Sequence, residues 1–318
     1  MKSFLTKIAL FAGSYFAAFI LLECMPGNPH PDSLHYAVID KHELLRKTEN
    51  QPRVLLVGGS NISFGIYSPK MEETLGMPVI DTAINAGYGL KYILDDIEPF
   101  IRKGDIVIVM PEYHHFYDEL FWGSTATFDG LRTTPENVRN IGLKQATVLA
   151  KDYPQRAKSN LRFCYATLTD SVPEPTHPHR RDSFNANGDI EAHWKIEGWD
   201  HLEGSQIDGP YNPATIDYLS RFVKSAEKKG AHVYISFPTY SEGSFGDKEN
   251  KESIDKIYKE LYAGDFKLLG TPARYSFPDS LYFNSHYHPY KEGQLMRTER
   301  LIEDLRNALS AVADSTKD

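Results

Sequence analysis

Cysteine is nearly missing from this 318-residue chain, which has only Cys24 and Cys164. Two thiols cannot build a disulfide framework or a four-cysteine zinc or iron–sulfur site, and they leave the redox compartment open. Runs of Lys and Arg are missing too, and acidic residues outnumber basic ones by 43 to 35, for a net charge of −8. Nucleic acid is excluded as a partner because no basic stripe is available to neutralise phosphates. No internal repeat and no low-complexity tract is present. The remainder has the composition of a packed protein: 41 % apolar against 25 % charged residues excludes global disorder. The length suits one large domain or two small ones.

Long apolar runs are also scarce, with one at the amino terminus. Lys2 and Lys7 precede an uncharged stretch, residues 8–22, rich in Phe, Ala, Ile and Leu. That length sits at the upper limit of a signal-peptide core and a little below a bilayer span. Lys7 and Glu23 can extend the span by reaching toward the interfaces. Glu23-Cys24-Met25-Pro26 offers no small-x-small cleavage site, and Glu23 stands where a lipid-attachment signal on Cys24 needs a small residue. An uncleaved anchor over residues 1–25 is therefore favoured over a cleaved signal peptide. Because the lysines precede the span, the amino terminus is expected in the cytoplasm and the rest on the extracytoplasmic side.

Residues 26–50 read as a stalk with a short amphipathic helix at 34–45. A domain over 51–313 follows, with a tail at 314–318. Residues 53–57 form a short apolar run that ends in Gly58-Gly59, as a buried parallel strand does. Helix is expected at 68–75, a strand from Val79, helix at 90–102, and a third strand at 105–110 closed by Pro111. The pattern resumes with helix at 213–229, strand at 232–237, helix at 250–262 and an edge strand at 266–269. A final helix spans 289 to about 313, where Leu295, Ile302, Leu305, Leu309 and Val312 recur at helical spacing. Strands alternating with helices predict an α/β fold, a three-layer α/β/α sandwich on a mainly parallel sheet. Residues 153–211 show no sustained period and read as an insertion or lid.

Ligands of open parallel sheets collect at the carboxyl ends of strands. The first strand end carries Gly58-Gly59-Ser60-Asn61, a tight turn that exposes a serine hydroxyl, or a turn sequence and nothing more. The second carries Asn85-Ala86-Gly87-Tyr88-Gly89, whose glycines let backbone approach a ligand. The third carries Glu112-Tyr113-His114-His115, where a Glu–Tyr pair suits a pocket wall. Near the carboxyl end, the run from Phe283 through Asn284-Ser285-His286-Tyr287-His288 to Pro289 sets His288 on the rim of the last helix. A rim histidine can take a proton from a serine hydroxyl, and equally can be a plain surface residue.

Taken together, VLLVGGSNISFG, NAGYGL, GDIVIVMPEY and YFNSHYHPYKEG resemble the SGNH (GDSL-like) hydrolase superfamily over about residues 51–310. The likeness is to its membrane-anchored envelope branch of teichoic acid D-alanine transfer and alginate-type acetyltransferase proteins. The resemblance implies Ser60 as nucleophile, His288 as general base and acid, and the N–H groups of Ser60 and Gly87 as oxyanion donors. Glu112, Tyr113 and Tyr88 would line the substrate pocket. The acid that usually precedes the histidine is replaced by Ser285 or Asn284, so Asn284 or Asp279 would orient His288, or the pair would work as a dyad. Where the superfamily supplies an oxyanion-hole Asn, this chain has Glu112-Tyr113, with Asn61 as a possible substitute. The function implied is acyl-ester hydrolysis or acyl transfer outside the membrane, with an acyl donor and an envelope glycan as partners. A polytopic membrane acyltransferase is a further expected partner, and no cofactor or metal is required. The alternatives are a catalytically impaired glycan-binding or scaffold protein, and a metal-assisted hydrolase built on His177, His179, His193 and His201. Those histidines lack cysteines and any HExxH spacing. Trp194, Trp199, Phe184 and Tyr211 are either a sugar-stacking lid over Ser60 or a satellite core.

Overall fold

The computed structural model describes residues 2–24, 29–198, 202 and 205–315. Its helices are α1 (Lys2–Cys24), α2 (Ala37–Lys47), α3 (Ser60–Ser63), α4 (Ser68–Leu75), α5 (Leu90–Ile97), α6 (Thr125–Thr133), α7 (Leu143–Leu168), α8 (Ala214–Lys228), α9 (Glu242–Gly246), α10 (Lys248–Ala263) and α11 (Lys291–Ser315). Strands form where short Val- and Ile-rich runs leave nothing polar for water. β1 (Val54–Gly58), β2 (Val79–Asp81) and β3 (Ile106–Met110) are buried along their whole length, and β4 (His232–Ser236) exposes only His232. β5 (Tyr240–Ser241) pairs with β7 (Ser276–Phe277) in a small sheet, and β6 (Leu268–Leu269) closes the main one.

The main sheet runs β2-β1-β3-β4-β6 with every pair parallel. The chain goes outward from β1 to β2, then crosses back past β1 to β3. Right-handed crossovers in opposite directions put helices on both faces. α4 packs with α11 and α5 packs with α8, so the sheet lies between two helical layers in an α/β/α sandwich. α1 is, among the described residues, the one helix long and apolar enough to cross a membrane. Its carboxyl end is held by the domain: Arg132 donates to Glu23 O, Asn160 donates to Leu22 O and Glu23 Oε1, and the Phe19 and Tyr153 rings lie 4.8 Å apart.

Two sequence-level boundaries move. The part of residues 26–50 that is described is no free stalk. α2 buries Ala37, Val38 and Leu45 in the main core, and Lys41 Nζ reaches through to Ala83 O, to Gly188 O at 2.8 Å and to Asp81 at 3.5 Å. Polar residues that look solvent-facing in sequence are buried here because they bond to strand-end carbonyls. The supposed insertion, 153–211, begins inside α7. The helix runs through Pro154 to Leu168, although a proline forgoes one interior hydrogen bond. Beyond α7 the segment covers the outer edge of β2: Asn187 O accepts from Asp81 N at 2.9 Å, and buried Asp189 accepts from Ser68 N and Ser68 Oγ at 2.7 and 2.6 Å. That cover removes an exposed sheet edge.

Leu45→Ala tests the first correction. In urea unfolding of the detergent-solubilised chain it is expected to cost about 3 kcal/mol, as a fully buried leucine does. A leucine on a free stalk would cost nothing.

Candidate active site

The strand order reverses between β1 and β3, and a crevice opens at their carboxyl ends. β1 can end there only because it ends in glycine. A Cβ on Gly58 would stand 2.5 Å from Met110 O, and one on Gly59 would stand 2.6 Å from the Ala86 Cβ and 2.9 Å from Glu112 Oε1. Ser60 then opens α3 with its side chain half-buried. Asn61 fixes the turn from below. Its Nδ2 donates to Met110 O at 3.1 Å, and its backbone N–H donates to Glu112 Oε1 at 3.2 Å. Arg297, fully buried on α11, donates to Asn61 O, and at 3.1 Å to both Asn61 Oδ1 and Phe237 O.

His288 arrives from a closed loop. Tyr282 and Pro289 form an antiparallel bridge, Phe283 N donates to His288 O at 2.8 Å, and Tyr290 N donates to Leu281 O at 2.7 Å. The loop sets His288 Nε2 2.9 Å from Ser60 Oγ and His288 Nδ1 2.8 Å from Asn284 Oδ1. The ring lies flat on Phe64, with centroids 4.1 Å apart and planes at 14°. An amide oxygen at Nδ1 assigns the proton to that nitrogen and leaves the Nε2 lone pair for the serine hydroxyl. Burial, reinforced by His193 and His179, pushes the imidazole pKa down to about 3. The ring is therefore neutral at pH 7, the form a general base needs. Asn284 orients the ring but supplies no charge to stabilise an imidazolium.

The structure thus gathers Ser60, His288 and Asn284 and moves the other candidates elsewhere. Asp279 does not face His288; its Oδ1 accepts from Gly243 N at 2.9 Å. Ser285 stays in its own turn, accepting from Tyr287 N at 3.3 Å. Gly87 N–H is already spent on Asn85 Oδ1 at 2.7 Å, and Asn61 is fully buried with its side-chain amide turned to Met110 O, so neither faces the crevice as an oxyanion donor. Tyr88 and Tyr113 are buried rather than pocket-lining. Tyr88 Oη meets His35 Nδ1 at 2.6 Å, and Tyr113 packs edge-on against Tyr240 at 5.4 Å. Glu112 does sit at the site, only 7 % exposed, within reach of both Asn61 N–H and the Ser60 hydroxyl. Burial pushes its pKa up to about 7 against the pull of those hydrogen bonds and Arg297. His114 and His115 are packing residues, bonded to Tyr287 Oη at 2.8 Å and Ala86 O at 3.0 Å.

The aromatic residues of the middle segment form no single lid. Phe184 joins a satellite cluster of Phe64, Ile190 and Phe283, Trp194 tilts on Tyr67 and donates to Gln294 Oε1 at 2.7 Å, and Tyr211 packs on Tyr117. Trp199 and His201 lie outside the described residues. The histidines are dispersed: His177 Nδ1 meets Ser183 Oγ at 2.8 Å, and buried His193 meets Pro289 O at 3.0 Å, bracing the loop that carries His288. Among the described residues, His30, Asp32 and Glu174 bring ligand atoms within 4.8 Å of one another, at a largely exposed position. Arg297 escaped the sequence reading, and His193 was weighed only as a metal ligand. The only signal was the spacing of Arg297 with Gln294, Leu301 and Leu305 on one helical face.

No family model and no curated protein matches the chain. Among solved structures, the crystal structure of the protein YxiM from Bacillus subtilis aligns at 12 % identity with a TM-score of 0.38, over 81 % of this chain and 57 % of that one. The chain therefore spans less than two thirds of that protein, and a likeness this faint carries no argument about function.

Asn284→Asp tests the orientation of His288. A carboxylate 2.8 Å from Nδ1 is expected to raise the imidazole pKa by about 1–3, as read from an NMR titration of the ring. An unmoved pKa would show that residue 284 does not face Nδ1.

Proposed function

We propose that this chain is an SGNH-type, serine-dependent acyl-ester hydrolase or acyltransferase. On this reading it acts on an exported polysaccharide or other envelope glycan, with α1 as the membrane anchor and the domain on the extracytoplasmic side. The observation that supports this best is Ser60 Oγ within 2.9 Å of a neutral His288 Nε2 whose other nitrogen is held by Asn284. Ser60 attacks the acyl carbonyl while its proton passes to Nε2, and the tetrahedral oxyanion forms against Ser60 N–H. The imidazolium then protonates the departing oxygen, leaving acyl-Ser60. A sugar hydroxyl or water next gives its proton to Nε2 and attacks the ester, and the imidazolium returns a proton to Ser60 Oγ as the acyl–oxygen bond breaks, releasing the acylated sugar or the free acid. A polytopic membrane acyltransferase would supply the acyl group in the transfer version. That partner rests on family resemblance.

Glu112 fills the third donor position in this scheme. A carboxyl kept neutral by burial can donate an O–H to developing negative charge. The second reading, a glycan-binding or scaffold protein with impaired catalysis, is favoured by an amide instead of an acid at His288 Nδ1 and by the engaged Gly87 N–H.

The test is intact-mass analysis of the full chain after fluorophosphonate treatment across pH. One adduct on Ser60 is expected, lost in Ser60→Ala and His288→Ala. The labelling rate should be level between about pH 4 and 6, where His288 is neutral and Glu112 protonated, and should fall as Glu112 ionises through about 7. Glu112→Gln, whose amide donates at every pH, should remove the alkaline limb. A folded chain that takes no adduct would favour the scaffold reading.

A further inference from the structure

Serine chemistry at Ser60 leaves one oxyanion donor unaccounted for. The Gly87 N–H that the family resemblance implies is turned to Asn85 Oδ1 at 2.7 Å. That same bond fixes the side chain that accepts it. A backbone N–H donates only to the amide's oxygen, so the Asn85 NH2 points away from Gly87. The rest of the turn is held as firmly. Ala86 O accepts from His115 Nε2 at 3.0 Å, and Asn85 O accepts from Tyr88 N at 3.3 Å. Gly87 O accepts from Ser124 N at 3.0 Å and from Ser124 Oγ at 2.8 Å, and Tyr88 O accepts from Thr127 Oγ1 at 3.1 Å. Asn85 Nδ2, with two hydrogens to give, has no hydrogen-bond partner among the described residues.

The fold sets this amide beside the nucleophile. In the sheet order β2-β1-β3, Ser60 follows β1, Asn85 follows β2 and Glu112 follows β3. Ser60 is therefore flanked by the other two at the carboxyl ends of the strands. Ala86 and Glu112 both press on the residue before the serine. A Cβ on Gly59 would stand 2.8 Å from Ala86 Cα and 2.9 Å from Glu112 Oε1. Ile84 and Ala86 are buried, while Asn85 between them is only half-buried and faces the crevice.

We propose that Asn85 is a catalytic residue whose side-chain NH2 donates to the oxyanion formed when Ser60 attacks a carbonyl. The proposal rests on the serine reading of the site and fills the place left by Gly87. Gly87 N–H acts indirectly, by aiming the amide. Because the amide is aimed before substrate arrives, no reorientation is needed as charge develops, which is what makes such donors effective.

Asn85→Asp is the test. It keeps an oxygen for Gly87 N–H and replaces the donor by an acceptor of the same shape. In the detergent-solubilised full chain at pH 6, its rate of labelling by the fluorophosphonate is expected to fall about 10²–10³-fold. The introduced carboxyl can donate once protonated. The rate of this variant should therefore rise about tenfold per unit as pH falls from 6 toward 4, where the unsubstituted chain is level. Asn85→Ala, which removes cap and donor together, should be slow and level. A second measurement needs no substitution. In a crystal structure of the phosphonylated chain, Asn85 Nδ2 should stand about 2.7–3.1 Å from the phosphonyl oxygen.

Asn85→Asp labelling as fast as the unsubstituted chain, or slowly without the rise toward acid, would overturn the proposal and leave the serine reading standing. So would an amide more than about 4 Å from the phosphonyl oxygen. An unsubstituted chain that takes no phosphonyl group would overturn the serine reading and the proposal with it.

Discussion

The Arg297 guanidinium binds three separately built pieces of the fold at one point. It donates to Asn61 in the nucleophile turn and to Phe237 just past β4, and it lies 3.3 Å from the Met110 sulfur at the end of β3. Taking such a group out of water costs several kcal/mol, which only a nearly complete set of acceptors offsets. No carboxylate forms an ion pair with it among the described residues. Its charge is met by carbonyl and amide oxygens, and burial brings its pKa down to about 10 without neutralising it at pH 7. The carboxyl ends of β1, β3 and β4 are thereby held in one arrangement, with Ser60 directly above. Gly65 belongs to the same device, because a side chain there would collide with the guanidinium.

The electrostatics of the site follow from that buried charge. Ser60 stands at the start of α3 with a cation beneath it and a buried carboxyl beside it, an environment that favours negative charge developing on a bound carbonyl oxygen. The relay on the other side is unusual in its last member. Asn284 gives His288 the correct tautomer and, with Phe64 under the ring, the correct plane. It supplies no charge of its own to an imidazolium.

Much of this was legible in the sequence. The strands 53–57, 79–80, 105–110 and 232–237 announce themselves because buried parallel strands need unbroken apolar runs. Ser60 and His288 followed from where glycines end one strand and Pro289 sits at the entry of the last helix, and Asn284 only from the family resemblance. What stayed hidden was polar burial. Lys41, Asp189 and Arg297 look like surface residues and are core, each because a distant segment supplies its partners. Tyr88, Tyr113 and Gly87 failed in the opposite sense, since their chemistry suited a pocket and their neighbours had already used it. α7 was lost because its period is carried by exposed apolar residues and interrupted by Pro154.

Mixing the full chain with p-nitrophenyl acetate and following nitrophenolate release before steady state tests the central claim most directly. The account predicts a burst of about one equivalent per chain, the acyl-enzyme signature, with the acetyl group on the Ser60 peptide and no burst in Ser60→Ala. Release without a burst, or an acetyl group on any other residue, would contradict it.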